Sequence, residues 1–186
     1  MFTLFGLITS ATLLVQERKS RTLQRMMTTA LHTWEIIAGH LLAMFLLVML
    51  QSLLLIVFGQ LVLGVDYLRQ PLGALLVITS LAAWASALGL LIGIIAKGDE
   101  QVIILAMISM FLLSALGGAW FPLEGAGRAF AAVGKLTPTA WAMSGFQNLL
   151  VRGLSLDAAL LPSAVQMAYA LGFFALALWQ FRKQVA

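Results

Sequence analysis

Four stretches of this chain are long, apolar and free of Asp, Glu, Lys and Arg, and that feature decides which solvent it folds in. They are residues 36–63, 72–96, 102–119 and 160–181. A hydrocarbon core about 30 Å thick takes ~20 helical residues to cross. The first stretch contains His40, Gln51 and Gln60, and the last contains Pro162 and Gln166. Within lipid every backbone N–H and C=O needs an internal partner, and no stretch alternates as a barrel strand would, so all four are expected to be helices. Composition agrees. Apolar residues make up 62 % and charged residues 10 %, against roughly 25 % charged in a soluble domain. The predicted fold class is an all-α, polytopic helical membrane protein forming one transmembrane domain over residues 1–186.

Residues 1–15 form a shorter apolar run followed, not preceded, by Arg18, Lys19 and Arg21, the reverse of a secretory signal. This reads as the far end of a span whose beginning is missing, so the chain is expected to be truncated at its N-terminus. Lys and Arg in short loops set orientation. With Val15 emerging into the cytoplasm, that side receives Arg18, Lys19, Arg21, Arg25, Lys97, Arg182 and Lys183, and the other receives Arg69, Arg128, Lys135 and Arg152. A multi-pass protein of the cytoplasmic membrane with a cytoplasmic C-terminus follows.

Residues 120–157 break the pattern. They hold Pro122, Pro138, several glycines and charges of both signs, so one continuous span is excluded. Residues 126–133 and 139–151 suit helices, and Pro138 forces a break between them. Two readings stay open: a re-entrant helical pair dipping into the outer leaflet, or a surface loop anchored by Trp120, Phe121 and Trp141.

Residues 16–34 form an amphipathic segment. Leu23, Met26, Met27, Ala30, Leu31 and Trp34 occupy an arc of about 140°, with Arg18, Arg21, Arg25 and His32 opposite. An interfacial helix on the inner leaflet and a helix docking a soluble partner both fit this pattern.

The residues here also resemble something known. Glu17-Arg18-Lys19-Ser20-Arg21-Thr22-Leu23-Gln24-Arg25-Met26, running on to Trp34-Glu35-Ile36 and Gly39, is similar to the cytoplasmic segment of ABC exporter permeases of the type-2 class. Phe121-Pro122-Leu123-Glu124 resembles the F-P-L-E signature of that family, and Leu136-Thr137-Pro138 with Trp141 resembles its following L-T-P-x-x-W. Arg21, Ala30 and His40 stand where the family usually has Gly, Pro and Lys, which should make the cytoplasmic helix longer and more continuous. The resemblance implies a permease subunit without chemistry of its own, paired with a second permease subunit in a homo- or heterodimer. A separate ATP-binding-cassette ATPase would carry the ATP and Mg, so this chain itself would bind no cofactor. Glu17, Thr22, Leu23 and Arg25, with Arg18 and Arg21 beside them, would couple the ATPase to the spans. Phe121, Pro122, Leu123, Glu124, Pro138 and Trp141 would form the extracytoplasmic gate.

Other chemistry fails on the residues. Residues 129–136 end in Gly134-Lys135 but have Ala129 and Leu136 where a phosphate-cradling loop needs glycine and a hydroxyl. The absence of cysteine excludes a disulfide framework and thiolate metal sites. His32 and His40 lie eight apart with no carboxylate pair at ligand spacing. The net charge of +4 is too small and spread out to suggest nucleic acid, and reports orientation instead. Gln51, Gln60 and Gln166 are costly in lipid, so each is expected to face another helix or a transport pathway. Ala85, Gly89 and Gly93 form a small-residue stripe for close packing, within the subunit or across a dimer. The lack of paired midplane charges favours hydrophobic or amphipathic cargo, drug-like or lipid-like. The function expected is therefore the permease subunit of an ATP-driven exporter. The alternatives are a gradient-driven carrier or channel, and a non-transporting anchor that recruits a soluble partner.

Overall fold

The computed structural model describes residues 33–121, 123–125 and 127–185, with Ile8, Ala11, Thr12, Val15 and Gln16 from the first segment. The proposed coupling residues Glu17, Arg18, Arg21, Thr22, Leu23 and Arg25 lie outside the described residues, as do Pro122 and the side chain of Glu124.

Among the described residues all regular structure is helical: α1 (Thr33–Leu61), α2 (Pro71–Ile95), α3 (Asp99–Leu116), α4 (Arg128–Gly134), α5 (Pro138–Phe146) and α6 (Asp157–Val185). Four of them, α1, α2, α3 and α6, are long and apolar enough to cross a membrane, as the charge-free stretches predict. The boundaries shift by a few residues for local reasons. Asp99 and Glu100 in the first turn of α3, and Asp157 at the start of α6, complement the helix dipole, so both helices begin earlier than hydropathy alone indicates. Arg182 and Lys183 in the last turn of α6 do the same at its end. Pro71 starts α2 at the position where a missing N–H costs nothing. Helix α3 stops at Leu116, short of residue 119, because Gly118 turns the chain with φ 76°.

Helix α2 is the axis of the bundle. In its most apolar window 67 % of residues are buried, against 17 %, 22 % and 28 % for α1, α3 and α6. It runs parallel to α6 along their most extensive contact and packs against α1 on another side. The small residues expected to allow close packing, Ala85, Gly89 and Gly93, are all buried here, so this chain uses the stripe internally. Two larger clusters line α2. One joins Trp84, Ala85, Leu88 and Ile92 to Val48 of α1, Val102, Ala106 and Met110 of α3, and Ala11 and Val15. The other, towards the end where α2 finishes, joins Leu90 and Ile94 to Ile36, Ile37 and Met44 of α1 and Ala177 and Phe181 of α6. Leu42, Leu46, Leu50 and Leu54 on α1 are exposed, which suits a helix bathed in hydrocarbon.

The α1–α2 connector is closed by side chains. Gln60 accepts the amides of Tyr67 at 2.8 Å and Leu68 at 3.3 Å through Oε1. The Tyr67 ring covers Gly59, where a Cβ would come within 2.9 Å of it. His40 Nδ1 lies 2.8 Å from the Ile36 carbonyl.

Two glycine substitutions test this packing. A Cβ at Gly117 would collide with the Thr139 side chain, whereas one at Gly39 meets nothing within 4 Å. Gly117→Ala is expected to lower stability by about 1–3 kcal/mol. Gly39→Ala should raise it by about 0.5–1 kcal/mol, through helix propensity. Thermal unfolding in detergent micelles distinguishes them.

Candidate functional site: the α4–α5 hairpin

The segment that sequence leaves between two readings folds as two short helices joined by a tight turn. Pro138 opens α5 and Thr137 caps it, accepting from Ala140 N at 3.4 Å. Thr137 also donates to the Gly134 carbonyl at 2.7 Å, which ends α4. Beyond Phe146 the chain continues as a π-helical turn, Gln147–Val151.

Polar contacts hold the turn to its neighbours. Trp141 Nε1 donates to the Lys135 carbonyl at 2.8 Å. The Tyr169 hydroxyl, from α6, donates to the Leu136 carbonyl. Thr139 donates to the Leu113 carbonyl and so fastens α5 to the last turn of α3. Gly117 has no room for a side chain at that crossing.

Helix α5 lies along both α2 and α6. Gly73 and Val77 of α2 meet Leu149 and Gly145, and Pro162 of α6 also meets Gly145. Asn148 Nδ2 donates to the Ala158 carbonyl at 3.0 Å. On α6 the contacts therefore run from Ala158 to Tyr169, a distance of ~16 Å along a helix axis. The hairpin's turn is thus met by the hydroxyl of a residue near the middle of α6.

Of the residues proposed for a gate, Leu123, Pro138 and Trp141 are gathered here. The Leu123 side chain lies between Gly118 and Gly134, each of which would place a Cβ 2.8 Å from it. Phe121 is 72 % exposed, and Trp120 stacks edge-on against Phe111 at 5.7 Å. Between the end of α3 and the hairpin is a cavity of about 410 Å³ lined by Gly117, Leu123, Lys135, Met143, Gln147 and Arg152, among others. The glutamines have different surroundings. Gln166 is fully buried; its Oε1 accepts from Trp84 Nε1 at 3.2 Å, joining α6 to α2. Gln60 serves the connector, and Gln51 is half-buried on α1. Thr139, Asn148 and Tyr169 are not among the residues that the sequence singles out; their signal is a polar side chain in an otherwise apolar run.

A multi-pass bundle around one buried axial helix, with a short helical hairpin wedged along its side, defines a polytopic membrane protein. The sequence matches the model of the family described as ABC-2 family transporter protein over residues 1–179, and the chain belongs to that family. It is 28 % identical over 185 residues to the inner membrane transport permease YhhJ of Escherichia coli (strain K12), covering 98 % of this chain and 49 % of that protein. The protein of the same name in Shigella flexneri matches to the same extent. The linearmycin resistance permease protein LnrN of Bacillus subtilis (strain 168) is 20 % identical over 175 residues, 94 % of this chain and 45 % of that protein. The chain thus spans about half the length of the curated relatives it matches. No solved structure matches it.

The Tyr169 contact is open to test. Tyr169→Phe removes one hydroxyl and leaves the Leu136 carbonyl without that donor. Stability should fall by about 1–2 kcal/mol, measured as a lower unfolding midpoint in detergent.

Proposed function

We propose that this chain is the membrane-spanning part of an ABC exporter permease, powered by a separate ATP-binding-cassette ATPase and working beside a second permease subunit. The observation that carries the reading is the family match along nearly the whole chain, together with the hairpin lodged against α2 and α6. In this reading the hairpin is re-entrant. It dips into the outer leaflet, turns at Leu136, and returns to the extracytoplasmic surface. Irregular backbone at such depth is tolerated only where protein or a water-filled cavity satisfies it, and the contacts from Thr137, Thr139, Trp141 and Tyr169 do that. Leu123, Pro138 and Trp141, with Phe121, Pro122 and Glu124, close the outer end of the pathway.

Residues 16–34 receive the push of the ATPase on the cytoplasmic side, through Glu17, Arg18, Arg21, Thr22, Leu23 and Arg25. The cargo is hydrophobic or amphipathic, since the described interior of the bundle is apolar and the fully buried Gln166 is already bonded to Trp84. LnrN is named a linearmycin resistance permease, which supports a transport role for this chain. The C-terminus, ending the helix that carries Arg182 and Lys183, is cytoplasmic.

Two experiments test this reading. Arg21→Glu and Arg25→Glu should each weaken co-purification with the ATPase several-fold and leave membrane insertion intact. Unchanged association would leave the segment only a role at the lipid surface. For orientation, a cysteine at Gly125 is unique in a chain with none and meets nothing within 4 Å. It should react with an impermeant thiol reagent added outside intact cells; labelling only after lysis would reverse the topology.

A further inference from the structure

Pro162 lies inside α6 and has no N–H, so the Ala158 carbonyl, four residues earlier, is without its usual helical donor. That carbonyl accepts from Asn148 Nδ2 at 3.0 Å. The other end of the same carboxamide is also engaged, since Asn148 Oδ1 accepts from the Arg152 guanidinium at 2.9 Å. Both ends of Asn148 are thus fixed, one by a cation on its own turn and one by the proline break on a different helix.

The backbone around Asn148 serves this contact. The Arg152 amide bonds the Gln147 carbonyl at 2.9 Å, five residues back, which makes the turn π-helical. Such turns are rare and concentrate at functional positions. This one carries Leu149 against Gly73 while Asn148 reaches α6. Leu149, Val77 and Ala159 form a small buried cluster beneath it. Gly145 lets α5 approach closely enough, as a Cβ there would lie 2.9 Å from Val77 and 3.5 Å from Pro162.

We propose that Asn148 is a positioning residue that latches the α4–α5 hairpin to the proline break in α6. Pro162 makes the carbonyl available and Asn148 occupies it. The hairpin can then leave α6 only by stripping a partly buried carbonyl of its donor, or by admitting water to replace it. The latch concerns the union of hairpin and helix, and it holds whatever the cargo and whichever protein supplies the energy.

A double-mutant cycle tests it, read by hydrogen–deuterium exchange of the hairpin amides in the whole chain in detergent micelles. Asn148→Ala should speed exchange across residues 138–152 about five- to tenfold, the scale of one lost hydrogen bond. Asn148→Asp keeps an oxygen for Arg152 but loses the donor, and should behave like Asn148→Ala. Pro162→Ala restores the helical N–H to Ala158 and should speed exchange by itself. Adding Asn148→Ala to it should then change the rate less than about twofold, because the acceptor is already taken. Equal effects of Asn148→Ala in both backgrounds would overturn the latch. So would parent-like exchange in Asn148→Asp, which would make the Arg152 contact the one that matters. Loss of protection spreading through α1 and α2 in Asn148→Ala would also count against a local device.

Discussion

A chain folded in hydrocarbon must answer each of its own amides and carbonyls, and the rest of this structure follows from how it does so. The long helices meet the requirement along their length. The short hairpin cannot, because two helices of seven and nine residues expose a large share of their termini. It meets the requirement with borrowed side chains. Thr137 and Trp141 bond within the hairpin, Thr139 and Tyr169 bind it to α3 and α6, and Asn148 reaches the carbonyl freed by Pro162.

The second requirement is close approach. Helix association in a membrane gains little from the hydrophobic effect and depends on packing. Small residues along α2 therefore do what large apolar ones do in a soluble core. Ala85, Gly89 and Gly93 are buried along the axis, while Gly73 faces Leu149 and Gly145 faces Val77 and Pro162, so that α5 lies flush with both parallel helices. Trp84 and Gln166 add one interhelical hydrogen bond at the centre of this packing.

How legible this was in sequence varied by element. The four spans were plain, because absence of charge over twenty residues is a signal about solvent that no local preference disguises. Their ends were less so: Asp99, Glu100 and Asp157 extend helices beyond the apolar run, since a carboxylate at a helix N-terminus is favourable even though it scores as polar. The break at Pro138 was visible, but not whether the pieces lie on the bundle or along it. That depends on Gly145, Asn148 and Tyr169 meeting residues far away in the chain, and no periodicity encodes such meetings. The glutamines drew attention by polarity alone, and Gln60 and Gln166 turn out to serve connections. The basic amphipathic segment carries a sharp sequence pattern, but its residues 17–32 lie outside the described residues.

In the transporter proposed above, with its buried axial helix and a hairpin turn bonded to Tyr169 near the middle of α6, the turn lies deep in the bilayer. The direct measurement places a fluorophore on a cysteine substituted for Leu136, which is 72 % exposed, in protein reconstituted into vesicles carrying nitroxide lipids. Nitroxides at mid-acyl depth should quench it more strongly than nitroxides on headgroups. Stronger quenching from the headgroups would contradict the account and leave the hairpin a loop on the membrane surface.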